Sequence, residues 1–138
     1  VRSPSRAPMT EASAVSALAK RRDAMPAPLL DGTTPEFVEL LAACPIVAGA
    51  TVSRALLNTP DGRVIVFAMD AGQEMSEHRA PFMATVHVLD GRLKFSVEGK
   101  QREMRAHDWL VMPPNAPHRL LAIEPTRFVL TMVKEGKA

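Results

Sequence analysis

The sequence predicts a mainly β domain, an antiparallel sandwich or barrel preceded by short helices, and three observations carry that prediction. After Pro45 the chain changes to short runs of apolar and β-branched residues, with turn residues recurring about every 8 to 12 positions. In one run Leu93, Phe95 and Val97 alternate with Arg92, Lys94, Ser96 and Glu98, a period of two that buries one strand face and excludes a helix. Asp61-Gly62, Asp90-Gly91 and Gly99-Lys100 are dipeptides suited to hairpin turns between such runs.

Residues 1–9 carry Pro, Ser and Arg without periodicity and read as a disordered start, with Met9 a candidate initiator. Residues 10–45 read as a helical extension. Its first helix starts at a Thr10 cap with Glu11 in the first turn, carries Val15 and Leu18 on one face, and ends at Lys20-Arg21-Arg22. Pro26 and Pro28 break it. Thr34-Pro35-Glu36 then has the order of cap, first-position proline and first-turn acid, which predicts a second helix through Ala43 with Phe37, Leu40 and Leu41 as its apolar stripe. Pro45 stops it. Residues 46–138 read as the barrel. Its predicted strands are Thr51 to Leu57, Arg63 to Asp70, Phe82 to Leu89, Arg92 to Glu98, Asp108 to Met112, Pro117 to Ile123 and Arg127 to Val133.

A chain of 138 residues suffices for one domain, since at this size roughly two thirds of the unfolded surface is buried on folding. Apolar residues form 46% and charged residues 23%, ordinary globular values, and no run approaches the roughly 20 apolar residues of a membrane span. Cys44 is the single cysteine, which excludes an internal disulfide, and with no secretion signal in view the expected location is the cytoplasm. Flanked by apolar residues, Cys44 reads as an inert packing thiol. The net charge of +2 comes from scattered basic residues, and the one basic triplet has no interleaved aromatics, so no nucleic-acid partner is expected. A Gly-rich phosphate loop, a cysteine cluster and a Gly-x-Ser-x-Gly elbow are all missing from the sequence.

Two spaced sets of residues remain. Gly72 is followed after five residues by His78, then by Ala80, Ala84 and Gly91; further on come His107, Pro113, Asn115, His118 and Ala122. In this spacing Ala71 to Ile123 resembles the cupin superfamily, in its small RmlC-like form. That family's first motif has His at the positions of His78 and Ala80, Glu at that of Ala84, and glycines at both ends. Its second has Gly, Pro, Gly, His and Asn where this chain has His107, Pro113, Asn115, His118 and Ala122. His and Asn are among the few residue types that tolerate the positive φ of a motif glycine. The resemblance implies a double-stranded β-helix, or jelly-roll barrel, in which positions 78, 80, 84 and 118 converge on one interior point. In most relatives these positions hold Fe, Mn, Ni, Zn or Cu.

Only His78 and His118 remain as ligands, and two imidazoles are fewer than the three protein donors a first-row ion normally takes. A weakly bound divalent transition metal, Zn, Fe, Ni or Mn, is the most that is expected. His87 is the one candidate third ligand, but if Ala84 points inward then so do Val86 and Val88, and His87 faces outward unless a bulge intervenes. Ala80, Ala84, Val86, Phe95 and Met112 are the expected pocket lining, with Met112 the one methionine close to the motif positions. Glu74 and Glu77 flank His78 and read as a solvated rim.

The leading expectation is a barrel that binds a small apolar or mixed ligand in the room freed by the two alanines. Its alternative is a metal-dependent enzyme of dioxygenase or isomerase type using His78, His118 and a third ligand, with His78 and His118 then the catalytic candidates. A further alternative is a regulatory or structural barrel acting as a homodimer. The substrate is not legible, because one fold hosts many activities.

Overall fold

A computed structural model of the chain describes residues 27–134; the first predicted helix and the expected disordered start lie outside them. The described chain forms one helical turn, α1 (Leu40–Ala43), and nine strands in chain order. These are β1 (Thr51–Thr59), β2 (Gly62–Met69), β3 (Glu74–His78), β4 (Met83–Asp90), β5 (Arg92–Val97), β6 (Lys100–Arg105), β7 (Trp109–Met112), β8 (His118–Ala122) and β9 (Thr126–Val133). One sheet has the order β1-β2-β9-β4-β7 and the other β3-β8-β5-β6, with every described pairing antiparallel. The two sheets pack face to face as a double-stranded β-helix.

All seven predicted strands are present, with ends shifted by no more than two residues. Two strands were not predicted, β3 and β6. Each has a single buried residue, Met75 in one and Met104 in the other, among charged and polar neighbours. Both are the edge strands of the four-stranded sheet. Edges carry charge to discourage pairing with other chains, and that charge erases the alternation from which a strand is read.

The core between the sheets is built by parity. Ile65, Phe67 and Met69 of β2 face Leu93 and Phe95 of β5 across the interior, with Ala84, Val86 and Val88 of β4 beside them. Phe67 and Phe128, paired in register on β2 and β9, stack with ring centroids 5.0 Å apart. The outer face of β2 is buried as well, because Val66 and Ala68 pack with Cys44, Leu56, Leu40 and Ile46. Burial on both faces explains why Val64 to Met69 is a continuous apolar run.

The extension before β1 therefore acts as a cover for half of one sheet. Leu29 and Leu30 donate their backbone N–H groups to Ala55 and Leu56 carbonyls, at 3.0 and 2.8 Å, tying it to the edge of β1. The predicted second helix is corrected here. It spans only Leu40–Ala43, and the residue that caps it is Glu39, whose carboxylate accepts from Leu41 N and Ala42 N. Thr34 takes no capping role. Upstream of it the Asp31 carboxylate accepts both the N–H and the hydroxyl of Thr33, closing a local turn. With one turn formed, only Leu40 reaches the outer cluster, and Phe37 of the expected stripe is fully exposed.

Asp90-Gly91 is also not a hairpin. β4 belongs to the five-stranded sheet and β5 to the other, so the dipeptide is the corner where the chain changes sheets. Gly91 has φ 88, and a Cβ there would collide with the Pro125 carbonyl oxygen and Thr126, which belong to another crossing between the sheets, from β8 to β9. Asp90 fixes the same corner. Its carboxylate accepts from Arg127 Nη2 at 2.7 Å and from the Arg127 backbone N–H at 2.9 Å, while Arg127 Nη1 donates to the Leu41 carbonyl.

Gly91→Ala combines a disfavoured φ with a clash against backbone and costs about 3 kcal/mol. Gly99→Ala, at φ 80 but with nothing within 4 Å of the new methyl, costs only about 1 kcal/mol. Urea-unfolding midpoints check the pair, and equal losses at the two glycines would show that crowding at the corner does not matter.

Candidate functional site

Two adjacent strands place the histidines. His78 ends β3, His118 begins β8, and their Cα atoms are register partners, so both side chains leave the same face of the four-stranded sheet. Their rings meet edge to face with centroids 4.1 Å apart. Phe95, one strand further along, lies nearly parallel to the His118 ring at 5.9 Å and 16°. From the opposite sheet, Ala84 comes in on β4, flanked in register by Met112 of β7 and Met132 of β9. Ala80 sits in the link between β3 and β4.

That link is held to the second motif segment by backbone bonds. Asn115 N donates to the Ala80 carbonyl at 2.7 Å, and Arg79 Nη1 donates to the Asn115 carbonyl at 3.3 Å. Asn115 does this at φ 67, and His107, at the other motif glycine position, has φ 74. Both substitutions keep the left-handed turn that a glycine would supply. His78, Ala80, Ala84 and His118 consequently line one cavity, together with Val86, Phe95 and Met112.

The cavity is small, about 30 Å³, close to the share of one water molecule in the liquid. The room that the two alanines leave is largely taken up by neighbouring side chains. Met75, Met112 and Met132 take up much of that space, with Phe67 and Phe128 behind them. Met75 and Met132 were missed in the sequence, although Met132 shares the alternation of Phe128 and Leu130 and could have been placed by parity.

Each imidazole is oriented by the backbone carbonyl two residues before it. Nδ1 of His78 lies 2.7 Å from the Ser76 carbonyl oxygen and Nδ1 of His118 lies 2.9 Å from that of Ala116. A carbonyl only accepts, so in the neutral rings Nδ1 carries the proton and Nε2 keeps its lone pair. The other lining side chains are all apolar, and these two nitrogens are the polar end of the cavity. Burial pushes the His118 pKa below the usual imidazole value; the bond to Ala116 opposes this, His78 adds to it, and Glu77 opposes it. His118 is only 8% exposed and is neutral at neutral pH.

His87 does not join this group. It is exposed on the outer face of β4, and its ring centroid is 6.1 Å from that of His107. Glu74 and Glu77 are exposed too. Among the described residues no three His, Cys, Asp or Glu side chains gather as a metal cage. The donor set at the convergent point is two Nε2 atoms and two methyl groups, which does not fit a tightly held first-row ion. Cys44 is buried under the outer cluster, where desolvation raises its thiol pKa.

Known proteins resemble the chain as follows. The family described as Cupin domain matches residues 65–134, just over half of the sequence. A conserved protein of unknown function, SPY1581 from Streptococcus pyogenes, is 26% identical, with a TM-score of 0.71 over 80% of this chain and 97% of its own. A cupin 2 conserved barrel domain protein from Leptotrichia buccalis is 31% identical, with a TM-score of 0.63 over 65% of this chain and 44% of its own. A cupin superfamily protein from Desulfitobacterium hafniense shares the fold at 15% identity, with a TM-score of 0.70 over 79% of this chain and all of its own. No curated protein matches. No helix among the described residues is long and apolar enough to cross a membrane.

The lowered His118 pKa has a thermodynamic consequence. An exposed imidazole titrates near 6.5, so as the pH falls through that value the unfolded chain takes up the proton before the folded one does. Stability held above pH 6.5 is then lost progressively until the folded-state pKa is reached. Thermal unfolding between about pH 7 and pH 5 checks this: His118→Leu has a shallower decline than the parent. Parallel declines would place the acid sensitivity elsewhere.

Proposed function

The chain belongs to the cupin domain family, and from that membership we propose that it binds a small neutral molecule at the His78–His118 end of the barrel rather than acting through a resident metal. The observation that carries this reading is the pair of Nε2 lone pairs at the head of an otherwise apolar cavity. Two acceptors side by side favour a ligand with a hydroxyl or N–H donor on an apolar body.

Fit comes from the methionines. Met75 and Met112 are unbranched and change rotamer at low cost, so a ligand larger than the resting cavity is admitted by their movement. His78 and Ala80 are partly exposed, which puts the entrance at their end. His118, held neutral by burial, is also placed to accept a proton from a bound hydroxyl. Which molecule is bound depends on chemistry beyond these groups.

Phenol serves as a probe. Its titration is followed through the ¹⁵N shifts of the imidazole nitrogens, and both Nε2 resonances move saturably while the Nδ1 resonances stay nearly fixed. His118→Ala and Ala84→Leu each weaken binding about tenfold, one by removing an acceptor and the other by occupying the space. Unsaturable shifts, or equal affinity in both variants, would refute the reading. So would one full equivalent of Zn, Fe, Ni or Mn that purifies with the chain and is lost in His118→Ala, an outcome that assigns the site to metal chemistry.

A further inference from the structure

A second concavity in the fold is far larger than the histidine cavity, and it lies where the two sheets open. β6 pairs only with β5, and β7 only with β4, so both are edge strands. The cleft between them measures about 490 Å³, within the range of about 300 to 1,000 Å³ common for small-molecule sites. Its floor is Phe95, Val97, Met104 and Leu110, and Trp109 forms part of the opposite wall.

The charges on its rim are placed by parity. On β6, Met104 points into the core, so Arg102 and Lys100, two and four residues earlier, leave the same inward face. Their register partners Phe95 and Val97 share that face, which puts a cation above each apolar floor residue. Inward charges protect an edge strand from pairing, and here they also border a ligand-sized cleft. Neither Lys100 nor Arg102 enters a salt bridge among the described residues.

The acids on the rim are mostly committed. Glu103, on the opposite face of the strand, is held by Arg92 at 3.0 Å and Arg105 at 3.3 Å. Asp108 accepts the backbone N–H of Arg105 at 2.9 Å. Glu98 and Asp108 enter no salt bridge among the described residues, and Glu98 is the one rim carboxylate whose side chain is held by neither a salt bridge nor a hydrogen bond there. Two cations without salt bridges therefore face one carboxylate, Glu98, that no other group holds. Along an extended strand the cationic residues are separated by about 7 Å, a span that one carboxylate or sulfonate group with its hydration can bridge.

We propose that the cleft between β6 and β7 binds a small organic anion, its acid group held by Lys100 and Arg102 and its flat apolar body laid between Phe95, Val97, Leu110 and Trp109. This site is separate from the histidine pair and does not rest on the role given to it. The acid group takes charge-assisted hydrogen bonds at the solvent edge, where its desolvation is partial. The apolar body covers the half-buried side chains of Val97 and Leu110 where they are open to water.

Trp109 reports on this cleft directly, since it is the only Trp and the chain has no Tyr. The folded protein is titrated with 3-phenylpropanoate, with the neutral 3-phenylpropanol and with the cationic 3-phenylpropylamine, and Trp109 emission is followed. The acid produces a saturable change, the alcohol binds about tenfold more weakly, and the amine weaker still. Lys100→Gln and Arg102→Gln each weaken the acid and leave the alcohol unaffected. Both residues are exposed; should a variant fail to fold by circular dichroism, the three-ligand series on the parent protein decides alone. The proposal is overturned by equal affinity for acid and alcohol, by no saturation at millimolar acid, or by folded variants that bind the acid as the parent does. It is also overturned if Trp109 emission follows protein concentration as the mass by light scattering doubles, which makes this edge a contact between copies of the chain.

Discussion

Two backbone carbonyls, those of Ser76 and Ala116, govern what the interior can do. Each accepts the Nδ1–H of the histidine two residues further along, and so each ring is fixed in orientation and tautomer by backbone just before it. Without them an imidazole in apolar surroundings could turn either nitrogen inward, and the cavity would have no defined polarity. With them, two lone pairs stand together at one end of it. This is the arrangement that prepares a histidine for a metal. Here it is left incomplete by two alanines, and the same lone pairs become acceptors for a donor.

Burial enforces the consequence. A cationic imidazole at position 118 would lose hydration without gaining a committed carboxylate, because Glu77 is exposed and Glu74 lies on the rim. The neutral form is the one the fold selects. The Nδ1 of the neighbouring His78 is tied to the Ser76 carbonyl and is not free to donate to it. At Nε2 the pair has no hydrogen-bond partner among the described residues, and both nitrogens are left for whatever enters the cavity.

The sequence carries more of the fold than of the site. Strict alternation at Leu93, Phe95 and Val97 made β5 legible, and the spacing of His78, Ala80, Ala84 and His118 located the convergent point before any geometry. β3 and β6 were illegible because an edge strand is selected to hide its period. The helix at Leu40 was overextended because Thr34-Pro35-Glu36 has capping chemistry, yet Asp31 closes a turn on Thr33 just upstream and the cap is supplied by Glu39 instead. The size of the cavity was out of reach for a different reason. Alanines at ligand positions say what is removed, but the volume that remains depends on rotamers of Met75, Met112 and Met132, which no one-dimensional pattern contains.

Phe95 joins the two concavities, being the only described residue that lines both. One face of its ring stacks on His118, and the side chain also forms floor of the cleft between β6 and β7. Its packing on His118 keeps water from that imidazole, so the ring that shields the interior base is the same ring that a molecule in the cleft would touch. Polar groups at position 95 are excluded from both sides, by the cost of burying them beside an apolar cavity and by the loss of a stacking surface. Its double role follows from where β5 runs, between β8 with its histidine and β6 with its lysine and arginine.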